Sequence, residues 1–226
     1  MLALVNADDL GHSTAVNDAI FAAYDRGLLV STTLLVHGPA FRGAVHGLRA
    51  RPRLRMGVHL DSSEFAPREV DRFTAWCDQV ARARDAGLDP LHLDAHHHAH
   101  FEWRALPALV RVLQATGIRR IRGRSLDHGP ALRSRAWRAI LARFAAMPDH
   151  FVSVDRWLRL GAPERPGVTE LMVHPGNPHH ARYADEMAAV ARLAKTWNII
   201  GFDALGGAGV QSQGGNRTST GAPGVP

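Results

Sequence analysis

The chain has 226 residues, of which 46% are hydrophobic and 21% are charged, and this balance is typical of a soluble globular protein with one folded domain. A bilayer span needs about 20 consecutive apolar residues. The sequence contains no such stretch, and it does not begin with a basic, then apolar, leader. We therefore expect no membrane span, no secretory signal and a cytoplasmic location. The single cysteine, Cys77, excludes an internal disulfide and a cysteine-rich zinc site.

The net charge of +6 comes from arginine, because Lys195 is the only lysine among the 27 basic residues. The arginines are scattered through helical stretches, and the densest cluster, at 118–124, has no aromatic residue on which a base could stack. We therefore expect no nucleic-acid partner. A non-catalytic protein that binds metal or nucleic acid through its histidines and arginines is an alternative, and it would show salt-sensitive binding to DNA or RNA.

Short apolar runs alternate with amphipathic stretches along the chain, which indicates parallel strands joined by crossover helices. Strands are predicted at 2–6, 30–36, 55–60, 91–95, 118–122, 150–154, 169–173 and 198–202. Helices are predicted at 14–26, 39–49, 67–86, 104–116, 131–146 and 180–196. This pattern predicts an α/β fold of mainly parallel strands in a distorted or incomplete TIM-like (β/α) barrel, with an open doubly wound sheet as the alternative.

The folded domain is expected to cover residues 1–205. The remaining residues, 206–226, are rich in glycine, serine, threonine and proline and contain almost no large apolar side chain. Such a segment cannot bury enough surface to offset the entropy lost on ordering, so we predict a disordered tail.

Two adjacent carboxylates, Asp8 and Asp9, follow the first apolar run and precede a glycine and a helix. Adjacent residues at a strand end point in different directions, so the two groups can take different tasks. One can bind a metal ion while the other accepts a proton from an attacking water. The structural alternative is that one of them caps the following helix or turn.

Histidines follow three other apolar runs. His59 ends one run, His174 ends another directly before Pro175 and Gly176, and the segment LHLDAHHHAH occupies 91–100. Neutral imidazoles beside a carboxylate suit a borderline divalent metal such as zinc. A histidine whose pKa lies near neutrality also suits a general acid, and His174 could take this task. The alternative is that His174 is only a histidine at a turn.

In the segment 91–100, not all the histidines can bind one ion. If residues 91–98 are extended, the side chains of His92, Asp94, His96 and His98 share one face. We expect one histidine of this segment to bind the metal and the others to orient it or to contact substrate. A solvated histidine-rich turn is the alternative.

The ordered set of motifs resembles the YdjC-like carbohydrate deacetylases, a family that includes chitooligosaccharide deacetylases and a group associated with hopanoid biosynthesis. The resemblance covers about 2–205. The motifs that carry it are NADDLGHSTAVNDAI at 6–20, STT at 31–33, GVHL at 57–60, HLDAHHHAH at 92–100 and VHPG at 173–176.

The resemblance implies a distorted barrel that removes the acetyl group from an N-acetylated sugar with one divalent metal ion. It implies that Asp9, His59 and His96 bind the metal. It also implies that Asp8 is the general base and His174 the acid. Two imidazole ligands favour zinc, although magnesium or another divalent ion is also consistent with the family.

Other residues near these motifs are expected to orient the ligands or to contact substrate: Asp94, His98, His100 and Arg122. Arg122 or Arg124 could meet a substrate carboxylate or phosphate, but the simpler expectation is that these arginines face solvent. The expected partner is a small N-acetylated sugar, and a homo-oligomer remains open. The alternative function is another mononuclear metallohydrolase, a phosphoesterase or an amidohydrolase, which hydrolysis of an aryl phosphate would reveal.

Overall fold

The computed structural model describes residues 1–62, 69–125, 131–160, 166–179 and 182–206. Apart from residue 206, the glycine-rich segment for which we predicted disorder lies outside these ranges. The first residues of the helices predicted at 67–86 and 180–196 also lie outside them.

Seven strands form one sheet in the described residues, and all the strand pairings are parallel. The strands are β1 (Leu2–Leu10), β2 (Ser31–Leu34), β3 (Arg55–Leu60), β4 (Leu93–Ala95), β5 (His150–Ser153), β6 (Val168–Val173) and β7 (Asn198–Ile200). Their order is β4-β3-β2-β1-β6-β5, and β7 pairs with the start of β1. Four consecutive strands therefore lie side by side in chain order, as they do in a (β/α) barrel.

The helices of the described residues are α1 (Thr14–Asp25), α2 (Phe41–Arg49), α3 (Glu69–Asp85), α4 (Leu106–Thr116), α5 (Ala131–Leu141), α6 (Val154–Leu160) and α7 (Tyr183–Leu193). Short 3₁₀ segments occupy His96–Phe101, Trp103–Ala105 and Phe202–Ala204. Helix α6 was not predicted, because its seven residues follow β5 without any turn signal. No helix of the described residues has both the length and the apolar character of a membrane span.

Local sequence signals explain the first crossover. The hydroxyl of Ser13 accepts a hydrogen bond from the Val16 amide and caps α1, as expected for serine before a helix. Asn17 of the same helix is buried, accepts a hydrogen bond from the Gly11 amide and donates one to the Ala40 carbonyl. This side chain fixes the loop that follows β1, which is the loop beside the candidate site.

The strand predicted at 118–122 is reduced to isolated parallel bridges. Leu93 of β4 pairs with Ile121, and Arg120 pairs with Ala146. The bridges continue the sheet beyond β4 but leave it irregular there. The fold is therefore an α/β half-barrel of parallel strands, and the distorted, incomplete TIM-like barrel predicted from the sequence is confirmed.

The strands are buried on both faces, as parallel sheets covered by helices are. Every residue of β6 and all but the first residue of β1 are buried. Apolar side chains pack between the sheet and the helices. Thr169 and Glu170 lie in the first half of β6, whereas Asp8 and Asp9 of β1 and His59 of β3 lie at the carboxyl ends of their strands. Those ends are where side chains can meet a ligand.

Gly57 in β3 packs against His92, and this contact leaves no space for a side chain. A Cβ atom at Gly57 would lie 2.5 Å from the His92 carbonyl oxygen and 2.7 Å from its ring. The ring cannot move away freely, because it stacks on Phe202 at a centroid distance of 3.7 Å. We predict that Gly57→Ala lowers the free energy of unfolding by about 1–3 kcal/mol, measured by urea denaturation.

Gly43→Ala in α2 is the matched control. A Cβ atom there would meet only the Asn17 amide nitrogen, at 3.5 Å. Alanine also favours a helix over glycine, so the control should be neutral or stabilising by about 0.5–1 kcal/mol. Equal stability of the two variants would contradict the close packing of β3 on His92.

Candidate metal and catalytic site

The end of β1 turns two adjacent carboxylates toward different partners. Asp8 and Asp9 are each 2% exposed. Asp9 has a left-handed backbone with φ of 69°. The register of β1 against β2 shifts between Ala7 and Leu10, which places a bulge at this point. The bulge directs Asp9 toward the histidines and Asp8 toward a buried arginine.

Asp9 lies beside the two histidines that the family resemblance singled out. Its Oδ1 is 3.5 Å from Nε2 of His59 and 3.4 Å from Nδ1 of His96. One potential ligand atom from each of the three residues lies within 4.8 Å of the other two. His59 ends β3 and His96 directly follows β4, so neighbouring strand ends assemble this cluster.

The chemistry of this cluster fits a divalent metal ion. Oδ1 of Asp9 is buried and accepts no hydrogen bond from any described residue, whereas Oδ2 accepts one from the Asn177 side-chain amide at 2.8 Å. Two ligands about 2.1 Å from one zinc ion at a tetrahedral angle are separated by about 3.4 Å. The observed separations match this value, and one carboxylate with two imidazoles is a common zinc donor set.

His59 is oriented by a second carboxylate. Its Nδ1 lies 2.6 Å from Oδ1 of Asp94, which leaves Nε2 facing Asp9. Oδ2 of Asp94 accepts a hydrogen bond from the Thr33 hydroxyl at 3.1 Å. Burial lowers the pKa of His59, but the adjacent Asp94 carboxylate outweighs it and raises the pKa to about 9. A carboxylate behind a ligating histidine fixes the tautomer and strengthens the ligand.

Arg122 is the charged centre of the site and is completely buried. Its guanidinium group holds Asp8 through two hydrogen bonds of 2.7 and 2.8 Å. It also lies 2.9 Å from Asp94 and 2.6 Å from Glu170 of β6. From the sequence we expected Arg122 to orient ligands, to contact substrate or, most simply, to face solvent. The structure places it beneath the cluster, where it orients Asp8 and Asp94 and has no exposed surface for a substrate.

A second group of potential ligands, Asp8, His59 and Asp94, is also close together. Here the position of a cation is already taken by Arg122, whose guanidinium nitrogens lie 2.7 Å from Asp8 and 2.9 Å from Asp94. The donor set around Asp9 is therefore the one open to a metal ion.

The carboxylates around Arg122 differ in protonation. Burial raises the pKa of Asp8, but the charge and hydrogen bonds of Arg122 outweigh burial and hold that pKa well below its usual range. At Glu170 the effect of burial exceeds the opposite effect of Arg122 and raises the pKa of Glu170 to about 7. Asp8 is thus ionised at neutral pH, whereas Glu170 keeps its proton to a higher pH than a free glutamate does.

Three polar residues of this site were missed by the sequence analysis. The Asn6 amide donates to Oδ1 of Asp8 at 2.9 Å, Asn177 donates to Asp9, and Glu170 accepts from Arg122. Glu170 had a detectable signal, because it is the only acid within the apolar run VTELMV. Asn6 and Asn177 had weaker signals, as polar residues next to motifs that were already identified.

His174 lies at the tip of β6 and is 8% exposed. The backbone turns sharply after it, and Gly176 has a φ of 71°. The backbone amide of His174 donates to Oε2 of Glu186 at 3.1 Å. His174 is near enough for its positive charge to contribute to the lowered pKa values of Asp8 and Asp9.

The histidine run does not continue the strand. β4 ends at Ala95, and His97 and His98 have left-handed backbones with φ of 51° and 56°. The expectation that residues 91–98 are extended, with alternating faces, is therefore wrong. His96 reaches Asp9, whereas the His98 ring stacks on Phe101 at 5.2 Å. A strand pattern could not show this turn, because a positive φ is uncommon for any residue other than glycine.

His92 and His100 lie apart from the cluster. Both rings are completely buried, and none of their nitrogens is hydrogen-bonded to a described residue. Burial lowers both pKa values well below 6.5, so both rings are neutral. The His100 ring contacts Phe101 and Trp137. His100 has no exposed surface for the substrate contact expected from the sequence.

One cavity borders the cluster at His96, and a second lies beyond it, at His97. One, of about 240 Å³, is lined by His96 and His97 together with His12, Leu35, Val36, His37, Gly38, Pro39, Asp61 and Gln79. The other, of about 540 Å³, is lined by His97, His98, Phe101, Glu102, Trp103, Arg104, Arg124 and Arg133. His97 borders both cavities, and its ring centroid lies 4.0 Å from that of His96.

The family model for YdjC-like proteins matches residues 2–75 and 70–206. The chain belongs to the YdjC-like family. Carbohydrate deacetylases are among its relatives. The one from Halalkalibacterium halodurans is 32% identical over 143 residues, which are 50% of this chain and 60% of the relative. The one from Vibrio parahaemolyticus is 28% identical over 214 residues, 82% of this chain and 80% of the relative.

Solved structures share the fold of this YdjC-like chain. An Enterococcus faecalis protein described as a cellobiose-phosphate cleavage protein aligns with a TM-score of 0.73 and 18% identity, over 89% of this chain and 97% of that one. A family 4 acetyl xylan esterase from Clostridium thermocellum, solved with a cobalt ion, gives a TM-score of 0.51 and 10% identity, over 90% and 89% of the two chains. At these identities the likeness concerns the fold alone.

The raised pKa of Glu170 predicts how stability depends on pH in the metal-free protein. Between pH 4.5 and 7 the folded chain keeps a proton on Glu170 that the unfolded chain has released, so the free energy of unfolding falls as the pH rises. Glu170→Gln keeps an oxygen for Arg122 and removes this titration. We predict that the variant loses less stability than the wild type across this window, measured by chemical denaturation at several pH values.

The control is Glu102→Gln, at an exposed residue, which should keep the wild-type pH dependence. The contribution of His59 belongs to a higher window: it is present below pH 6.5 and is lost as the pH rises toward 9. Parallel curves for Glu170→Gln and the wild type between pH 4.5 and 7 would show that Glu170 titrates normally.

Proposed function

We propose that this chain is a metal-dependent hydrolase that removes the acetyl group from an N-acetylated sugar, giving acetate and an amino sugar. The observation that carries the proposal is the open donor set of Asp9, His59 and His96 directly beside Asp8, which Arg122 holds in a separate ion pair. The relatives named carbohydrate deacetylase support the reaction class. The first three of them are matched over only 55 to 61% of their length, so the activity is inferred for this chain.

The metal ion would be held by Asp9, His59 and His96. When bound, a divalent ion there polarises the acetamide carbonyl and lowers the pKa of a nearby water. Zinc or another late transition metal suits two imidazoles better than magnesium does. The cobalt ion in the esterase of similar fold supports a metal of this group.

Asp8 is the proposed general base. Its low pKa keeps it ionised at neutral pH, and Arg122 and Asn6 fix its orientation. Among the described residues, Oδ2 accepts a hydrogen bond from Arg122 alone, which leaves a lone pair for a proton. Asp8 would take this proton from the water that attacks the acetamide carbonyl carbon.

His174 is the proposed general acid. It lies at the tip of β6, the strand next to β1, so it approaches the site from beside the Asp8 and Asp9 pair. Its backbone is held by Glu186, and the loop after it supplies Asn177 to Asp9. His174 would give its proton to the sugar nitrogen as the carbon–nitrogen bond breaks. The amino sugar would then leave as a neutral amine and not as an anion.

The test compares Asp8→Asn with Asp9→Asn in protein loaded with zinc or cobalt. We predict that Asp8→Asn keeps the metal but lowers acetate release from N-acetylated sugars by about 10²–10⁴-fold, because the base is lost. Asp9→Asn should lose the metal and the activity together, because it removes a charged ligand. Metal content is measured by elemental analysis, and thermal melting shows whether each variant is folded.

A folded Asp8→Asn variant that releases acetate at the wild-type rate would remove Asp8 from the mechanism. Metal retained by Asp9→Asn would refute the donor set. If no N-acetylated sugar releases acetate but an aryl phosphate is hydrolysed, the metal site stands and the reaction is that of a phosphoesterase.

A further inference from the structure

Asn177 gives the two carboxylate oxygens of Asp9 different surroundings. Its side-chain amide donates to Oδ2 of Asp9 at 2.8 Å, and Asn177 is 4% exposed. Oδ1 of Asp9 lies 3.5 Å from Nε2 of His59 and 3.4 Å from Nδ1 of His96. No described residue donates a hydrogen bond to Oδ1. One oxygen is therefore covered by the protein, and the other faces the two histidines.

Two further hydrogen bonds hold Asn177 in this orientation. Its side-chain oxygen accepts a hydrogen bond from the His179 backbone amide at 3.0 Å, and its own backbone amide donates to the His174 carbonyl at 3.3 Å. Because the oxygen of the side chain is bound to His179, the nitrogen faces Asp9. The preceding residue, Gly176, packs closely on α1, where a Cβ atom would lie 2.7 Å from that of Ala19. The loop after β6 thus fixes the position of the donor.

The turn at Asn177 does not by itself require asparagine. A turn in which the side chain accepts from the backbone amide two residues later uses only a side-chain oxygen, so aspartate would form it equally well. An ionised aspartate could not donate a hydrogen bond, and it would bring a second negative charge against Asp9. Asparagine closes the turn and also donates to Asp9. The choice of residue is therefore explained by Asp9 and not by the backbone.

The contact determines how Asp9 can bind a cation. A carboxylate can bind a metal ion through one oxygen or through both, and calcium is often bound through both. Manganese favours oxygen ligands in six positions, whereas zinc favours four ligands and accepts nitrogen readily. Since Oδ2 is bound to Asn177, Oδ1 is the oxygen of Asp9 that is available to an ion beside His59 and His96.

We propose that Asn177 is a positioning residue that restricts Asp9 to one metal-binding oxygen and thereby favours zinc over manganese. This inference rests on the metal site of the proposed function and deepens it, because it names the residue that selects the ion. Asn177 acts through Asp9 and does not itself bind the metal.

The experiment measures metal binding in the absence of substrate. Zinc and manganese are titrated separately into the metal-free full chain in competition with a coloured chelator, which gives a dissociation constant for each ion. Asn177→Leu keeps the size of the side chain and removes the donor. We expect this variant to bind zinc about 10- to 100-fold more weakly, the usual cost of losing the partner of a metal ligand.

The ratio of the two dissociation constants is the decisive result. Manganese binding should weaken less than zinc binding, because Oδ2 of Asp9 becomes available to an ion that favours oxygen. We therefore expect the preference for zinc to fall by about tenfold in Asn177→Leu. A variant that only loosened the site would weaken the binding of both ions alike and leave the ratio unchanged.

His179→Ala is the matched control in the same loop. It removes an exposed imidazole but keeps the backbone amide that binds Asn177. We expect the zinc to manganese ratio of this variant to stay close to that of the wild type. Asn177→Ala, with the same expected direction, replaces Asn177→Leu if thermal melting shows that Asn177→Leu is not folded.

Two results would overturn the proposal. An unchanged ratio in the Asn177 variant would mean that Asn177 only supports the loop. An equal change in His179→Ala would mean that the imidazole of the loop, and not the amide, selects the ion. Failure of the proposed function is distinguishable, because acetate release would be absent while the ratio still changed in the Asn177 variant alone. A wild-type chain that bound neither ion would refute the donor set itself, and this proposal with it.

Discussion

The site depends on the burial of Arg122 among carboxylates from three strands. A buried guanidinium group without partners would cost several kcal/mol of stability. Asp8 of β1, Asp94 of β4 and Glu170 of β6 supply the partners, at 2.6 to 2.9 Å. The carboxylates in turn need the positive charge of the arginine. They lie within a few ångströms of one another in the interior, where their negative charges would repel. This mutual dependence fixes the carboxyl ends of the strands relative to each other.

The same arrangement links the candidate metal site to the candidate base. Asp94 contacts both Arg122 and His59, so the residue that orients a metal ligand also belongs to the arginine cluster. Asp8 and Asp9 are adjacent in the chain, and the bulge in β1 sends one to Arg122 and the other to the histidines. A small displacement of Arg122 would therefore move both the proposed base and a proposed metal ligand.

The sequence predicted the parts of this site that belong to strand ends. The Asp8–Asp9 pair, His59 and the histidine segment each follow an apolar run, and parallel strands bring such positions to one edge of the sheet. The choice of Asp9 and His96 within their motifs came from the family resemblance. The sequence placed Arg122 near the site, but its partners could not be predicted. Its partners are separated from it by up to 114 residues, and its strand is reduced to single bridges.

The left-handed turn at His97 also could not be predicted from the sequence pattern. Alternation favours an extended segment after Asp94, whereas packing of the following rings against Phe101, Phe151 and Trp137 stabilises a left-handed turn. Tertiary contacts therefore determine the backbone conformation of this segment. The result is that His96 alone of this run meets Asp9, while His97 lies between the two cavities.

The central claim is that one metal ion binds where Asp9, His59 and His96 converge, beside an Asp8 that stays paired with Arg122. Anomalous diffraction from crystals of the zinc-loaded full chain tests it most directly. The account predicts one strong zinc peak in contact with all three ligands, with the ion pair of Asp8 and Arg122 intact. A peak between Asp8 and Asp94, or a peak bound only by other histidines, would contradict it.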